Sequence, residues 1–290
     1  MAALRYSGLM IGVLTFAFSG SMPIAAVAGA VQFVPHRAVY DISLARASPG
    51  SGISEMSGRM VYELVGSDCA GYTQKMRFVT RITGRDGEAQ INDLRTSSWE
   101  QAEGKKLRFT TSQYRNDHLE ETTQGNADRG KSGDTVKVQL TKPGHKGLEI
   151  SGDVMFPMQH SLALIAAAKR GEDVLMAELY DGSEKGEKVY LTNAFIGHEV
   201  ATAERLEGVP LGVQAKVDLK GRPVWPMAIS YFDPQETQQD SVPSYELSFR
   251  LYDNGISTKL FIDYGDFAVE GALTDVTLLE KTKCEGQKGR

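Results

Sequence analysis

The sequence predicts a mainly β protein: one large antiparallel sheet of about a dozen or more strands, curled around a single α-helix near residues 157–170. Three observations carry that prediction. Apolar and polar residues alternate over run after run, the period of a half-buried strand. Short turn signals separate the runs, in a chain with 30 Gly and only 10 Pro, which suits many strands joined tightly. One stretch, and one only, shows a complete helix signature.

The chain opens with "MAALRYS", then the uncharged apolar run "GLMIGVLTFAF", then the small-residue sites Ala26-Val27-Ala28 and Ala28-Gly29-Ala30. A basic start, a short apolar stretch and an A-x-A site describe a secretory signal peptide, residues 1–30, cleaved near 28–30. The apolar run is short of the ~20 residues a membrane span needs, and Pro23 closes it. Residues 31–290 then read as one exported domain with no further span-length apolar run. Lys and Arg number 32 against 37 Asp and Glu, so a basic nucleic-acid surface is not expected.

The strands follow in order. "AVYDISL" puts Ala38, Tyr40, Ile42 and Leu44 on one side. "MVYELV" does the same with Met60, Tyr62 and Leu64, and "YTQKMRFVTRI" with Tyr72, Met76, Phe78 and Ile82. "TVKVQL" aligns Val136, Val138 and Leu140. Pro49-Gly50, Arg85-Asp86-Gly87, Glu103-Gly104-Lys105 and Pro143-Gly144 mark turns. The polar stretch 120–134, "EETTQGNADRGKSGD", reads as a long mobile hairpin loop. Pro223, Pro226 and Pro234 mark "GRPVWPMAISYFDP" as an irregular or edge segment.

"FPMQHSLALIAAAKRGED" is the helix. Pro157 suits its first turn, Lys169 and Arg170 its last, and Gly171 its end. Met158, Leu162 and Ile165 fall at i, i+4 and i+7 as an apolar stripe. A helix ~10 Å wide cannot cover a flat sheet of this size, so the sheet should curl around it. Near the C-terminus, "YELSFRLYDNGISTKLFIDYG" is a hairpin. One arm aligns Tyr245, Leu247, Phe249 and Leu251; the other aligns Ile256, Leu260, Ile262 and Tyr264. Asn254-Gly255 between them suits a type I′ turn with positive φ at both residues.

The two cysteines, Cys69 and Cys284, have no close-spaced partner of the kind metal sites use. In an exported chain their even number reads as a disulfide; the alternative is two buried thiols acting as small hydrophobes. No G-x-S-x-G, H-E-x-x-H, S-x-x-K, Walker or dinucleotide motif occurs, and the histidines are scattered. No metal and no cofactor is therefore expected. His160 next to Ser161 does not make a base–nucleophile pair, because adjacent helix positions point ~100° apart; a bond from His160 to nearby backbone is expected instead. The acidic turns at Asp181 and Asp266 supply carboxylates without any pairing signal. Aromatics crowd the second half. Most should be core, but an incompletely filled curled sheet offers a groove for an apolar ligand or a peptide. The candidate contacts are Trp225, taken as a rim aromatic, with Tyr231, Phe232, Leu162 and Ile165.

Together, Tyr40-Asp41 in the first strand, "GSDCAGYTQKMRF", "FPMQHSLALIAAAKRGE", "LYDGSEKGEKVY", "PSYELSFRLYDNGIS" and "DYGDFAVEGALTDVTLLEKTKC" resemble the envelope integrity protein B (EipB) family of alphaproteobacteria. The resemblance spans the whole exported chain. It implies a β-spiral around a helix, similar to those of periplasmic lipoprotein carriers, and a disulfide that maps onto Cys69 and Cys284. It also implies a periplasmic role in envelope integrity, and it carries over no catalytic residues. The expected function is non-enzymatic maintenance of the envelope, by binding a lipid, a lipoprotein or an envelope protein in or on the curved sheet. The alternatives are a hydrolase of cell-wall glycan or peptide and a purely structural docking scaffold.

Overall fold

The computed structural model describes residues 32–234 and 242–284. The predicted signal peptide lies outside the described residues. Among the described residues, fourteen strands form one sheet, and every neighbouring pair is antiparallel. Eight come first: β1 (His36–Ala47), β2 (Ile53–Ser67), β3 (Gly71–Gly84), β4 (Ala89–Glu100), β5 (Lys106–Arg115), β6 (His118–Arg129), β7 (Thr135–Lys142) and β8 (Lys146–Ser151). Helix α1 (Pro157–Arg170) follows. Then come β9 (Val174–Leu179), β10 (Tyr190–Ile196), the short helix α2 (Leu211–Gln214), β11 (Val224–Phe232), β12 (Tyr245–Tyr252), β13 (Ser257–Asp263) and β14 (Phe267–Leu278).

The strand order is β8 through β1, then β14 back down to β9. The chain thus winds outward to β8, crosses through α1, and returns until β14 pairs with β1. The terminal strands, β8 and β9, do not pair with each other, so the sheet does not close into a barrel. Met155, in the crossing segment, bridges Leu179 in parallel along the edge of β9.

The sheet curls. β3 and β11 lie six strands apart in the order, roughly 29 Å on a flat surface at ~4.8 Å per strand. Yet Tyr72 of β3 and Ile229 of β11 belong to one buried cluster, with Met158, Leu164 and Ile165 of α1 at its centre. A second cluster joins the β1–β14 seam to Val200, Val209, Val213, Val217 and Leu219 of the segment between β10 and β11. A third packs β5–β7 against Phe156 and Tyr180.

Helix α1 has the predicted bounds, and Gly171 ends it in the left-handed region at φ 74°. Its N-terminus is capped from outside. The Glu100 carboxylate, at the end of β4, accepts from Met158 N–H at 2.7 Å and from Gln159 N–H at 3.0 Å. Gln159 Oε1 accepts from Phe156 N–H at 3.1 Å. The buried stripe is wider than Met158, Leu162 and Ile165: it takes in His160, Leu164, Ala167 and Ala168, while Leu162 is only partly buried.

Three local expectations are corrected. Residues 118–129 form strand β6, and the loop shrinks to the turn before Thr135. The inward positions of β6 are Thr123, Gly125 and Ala127, so no apolar alternation shows. Small residues are required there: a Cβ at Gly125 would stand 2.8 Å from Phe109 Cζ. Second, Val224–Phe232 is an interior strand between β10 and β12. Pro226 fits because its carbonyl, accepting from Gly197 N–H at 2.8 Å, faces the side where β10 has just ended at Ile196, so its missing N–H breaks no rung. Third, of Asn254 and Gly255 only the glycine has positive φ, at 88°. Gly255 N–H bonds to Tyr252 O at 2.9 Å, the pattern of a longer hairpin loop with a left-handed glycine.

Candidate functional site

Strands β1–β3 on one side, β11–β13 on the other and α1 between them enclose a cavity of about 300 Å³. That is the lower end of the size range of small-ligand sites. Alternation decides what lines it. His36 and Tyr40 of β1, Met60, Tyr62 and Leu64 of β2, and Met76 of β3 point inward by the period of two. Ile229 and Tyr231 of β11 and Leu247, Phe249 and Leu251 of β12 face them. Helix α1 adds Met158, His160, Ser161 and Leu164. No Asp, Glu, Lys or Arg is among these lining residues.

The polar groups of the lining are neutral. Burial pushes the His160 imidazole down to about 4. It also lowers His36, against a backbone bond that works the other way. Burial raises the Tyr40 phenol, next to Tyr62, and the Tyr231 phenol well above their ordinary range, so both stay protonated. Tyr40 donates to Ser257 O at 2.8 Å and Ser161 to Pro157 O at 3.0 Å. The expected backbone bond of His160 is replaced by one to the Thr192 hydroxyl, 3.3 Å from Nε2.

Of the residues singled out from sequence, Tyr231 lines the cavity. Trp225 is not a rim aromatic. It is 4% exposed, in the α1 cluster, because it shares the inward face of β11 with Met227 and Ile229. Ile165 is fully buried in the same cluster and Leu162 packs against it, both outside the lining. Phe232 falls on the opposite face of β11 from Tyr231, outside the lining. The other aromatics stack on one another: Tyr231 and Tyr245 lie 4.3 Å apart and nearly parallel, and Tyr264 and Phe267 4.8 Å apart. The lining from β1–β3 was missed as a site. Parity could have found His36, which shares its face with Ala38 and Tyr40; that this face meets α1 was not legible.

Cys69 and Cys284 form a disulfide, with Cα atoms 5.7 Å apart. Cys69 sits in the turn between β2 and β3, and Cys284 follows the end of β14. The tail runs past the start of β1, where Leu279 N–H bonds to Pro35 O at 2.9 Å. Lys281 then pairs with Asp68 at 3.1 Å.

An unclosed antiparallel sheet rolled around a helix, with an uncharged, mostly apolar hollow between them, defines a barrel-like β protein. The model of the EipB-like family matches residues 27–280, and the chain belongs to that family. It is 38% identical over 283 residues to the cell envelope integrity protein EipB of Brucella abortus (strain 2308), covering 98% of each chain. It also resembles the crystal structure of a beta-barrel-like protein of domain of unknown function DUF1849 from Brucella abortus. The TM-score is 0.77 at 35% identity, covering 87% of this chain and all of the other.

Proposed function

We propose that this chain is a non-enzymatic periplasmic protein that maintains the cell envelope by holding the apolar part of a lipid or lipoprotein inside its curled sheet. The cavity carries this reading: its lining is mostly apolar, with tyrosines, methionines and two buried histidines, and with no carboxylate to act as acid or base. Methionines suit a site that takes flexible chains, because their side chains repack easily. The family relative named for cell envelope integrity supports the physiological half. No helix among the described residues is long and apolar enough to cross a membrane.

The binding test is fluorescence of N-phenylnaphthylamine with the purified protein. Saturable binding is expected. Leu247→Trp, which puts a bulky indole ring into the cavity, should weaken it at least tenfold while costing about 1–3 kcal/mol of stability. Unchanged affinity in that variant, or no binding by the wild type, would refute the reading. In the host, deleting the gene should sensitise cells to detergents and cell-wall antibiotics. Wild-type resistance in the deletion strain would remove the envelope role.

A further inference from the structure

We propose that the cavity selects a neutral, single-chain amphiphile whose polar group offers an O–H or N–H, and that His36 Nε2 receives it. The inference rests on the cavity being a ligand site, as set out above, and names the chemistry of its occupant.

Four of the lining's polar side chains, His36, Tyr40, His160 and Ser161, have already committed their hydrogens. His36 Nδ1 lies 2.7 Å from the Val34 carbonyl, which can only accept, so Nδ1 carries the proton and Nε2 is a lone pair. That Nε2 is buried and has no hydrogen-bond partner among the described residues, in a side chain with no exposure to bulk solvent. Thr192 donates its one hydroxyl hydrogen to Ala177 O at 2.9 Å, so in the bond to His160 the ring's Nε2 must donate, leaving Nδ1 as the lone pair. Tyr40 and Ser161 donate to backbone carbonyls, as described. The hydroxyls of Tyr62 and Tyr231, which make no hydrogen bond to a described residue, can take either role.

An uncharged lining with a buried, unpaired lone pair at His36 Nε2 sorts ligands. A carboxylate or phosphate brings only acceptors and a charge, with no Lys or Arg in the lining to meet it. A purely apolar chain fills the hollow but leaves His36 Nε2 buried and unpaired. An alcohol or amide head satisfies the nitrogen and keeps the charge balance at zero.

The test uses the protein as its host produces it, stripped of lipid, with N-phenylnaphthylamine bound. Dodecan-1-ol, 1-methoxydodecane and dodecanoate at pH 8 compete for it in turn. The alcohol's preference over the ether is expected to be roughly tenfold greater in the wild type than in His36→Phe, the scale of one buried hydrogen bond. Dodecanoate should compete more weakly than the alcohol. Should His36→Phe fail to fold, nitrogen NMR of labelled histidine in the wild type replaces it: dodecan-1-ol should shift the His36 Nε2 signal and the ether should not. An alcohol-to-ether ratio unaffected by the substitution, a silent Nε2, or a carboxylate that binds best overturns the inference while leaving the apolar cavity standing. Failure of all three competitors and of the probe removes the cavity reading itself.

Discussion

Serine at Cys69 is expected to lower the melting temperature by roughly 10–15 °C, serine at Cys284 by the same amount, and the double substitution by little more. The bond spans 215 residues. Loop-closure entropy over that length sets an upper figure of about 5 kcal/mol. The location argues that most of it is realised. Beyond Leu279, the described tail is held by a 3.4 Å contact from Thr282 N–H to Gly66 O and by the exposed Lys281–Asp68 pair. An exposed ion pair contributes at most about 1 kcal/mol. The sulfurs therefore carry the connection between the end of the described chain and the β2–β3 turn. Thermal unfolding of the three variants and of reduced wild type decides the matter. Losses that add would mean that the two cysteines act independently.

Glu100→Ala is expected to cost about 3–5 kcal/mol, the second largest effect. Two hydrogen bonds to the start of α1 disappear, and the buried Met158 N–H and part-buried Gln159 N–H lose their acceptor. Half-buried Arg129 also loses the nearby negative charge it shares with Asp153. Arg129 ties the same region together: it donates to Gly104 O, Gly152 O, Val154 O and Gln159 Oε1. The carboxyl has a pH signature of its own. Burial pushes it up to about 7, against the Met158 and Gln159 N–H groups and Arg129, which pull it down. A carboxyl raised on folding keeps its proton in the folded state where the unfolded chain has lost it. Its contribution is present below pH 4.5 and is lost as pH rises through 7. Relative to Glu100→Gln, the wild type should therefore lose up to about 3 kcal/mol between pH 4.5 and pH 7.5. Denaturant melts at both pH values measure this. A wild-type advantage that grows with pH would show that the helix N–H groups outweigh burial.

Much of the architecture was legible because it is written in local periods. Alternation placed Tyr40, Tyr62, Leu64, Met76, Val136 and Val138 on inward faces, and Pro157, Lys169, Arg170 and Gly171 bounded the helix. The failures share a cause. Strand β6 was hidden because its inward positions must be small to admit the Phe109 ring, a demand made by a neighbouring strand. Trp225 was misread because three prolines suggested an edge, whereas β10 simply ends beside Pro226. The segment 197–223, with α2, carried no period to read, yet its valines close the core over the β1–β14 seam.

By itself the sequence determined the strand periods, the helix with its ends, and two cysteines to join. These are properties of residues close together along the chain, where sterics and side-chain alternation act. The tertiary structure alone decided that Glu100 caps a helix 58 residues later, and that the faces of β1–β3 meet those of β11–β13 around a hollow. It also decided that His36 Nε2 is left buried without a proton donor among the described residues. These depend on how far the sheet rolls up, which is set by packing between strands distant in sequence.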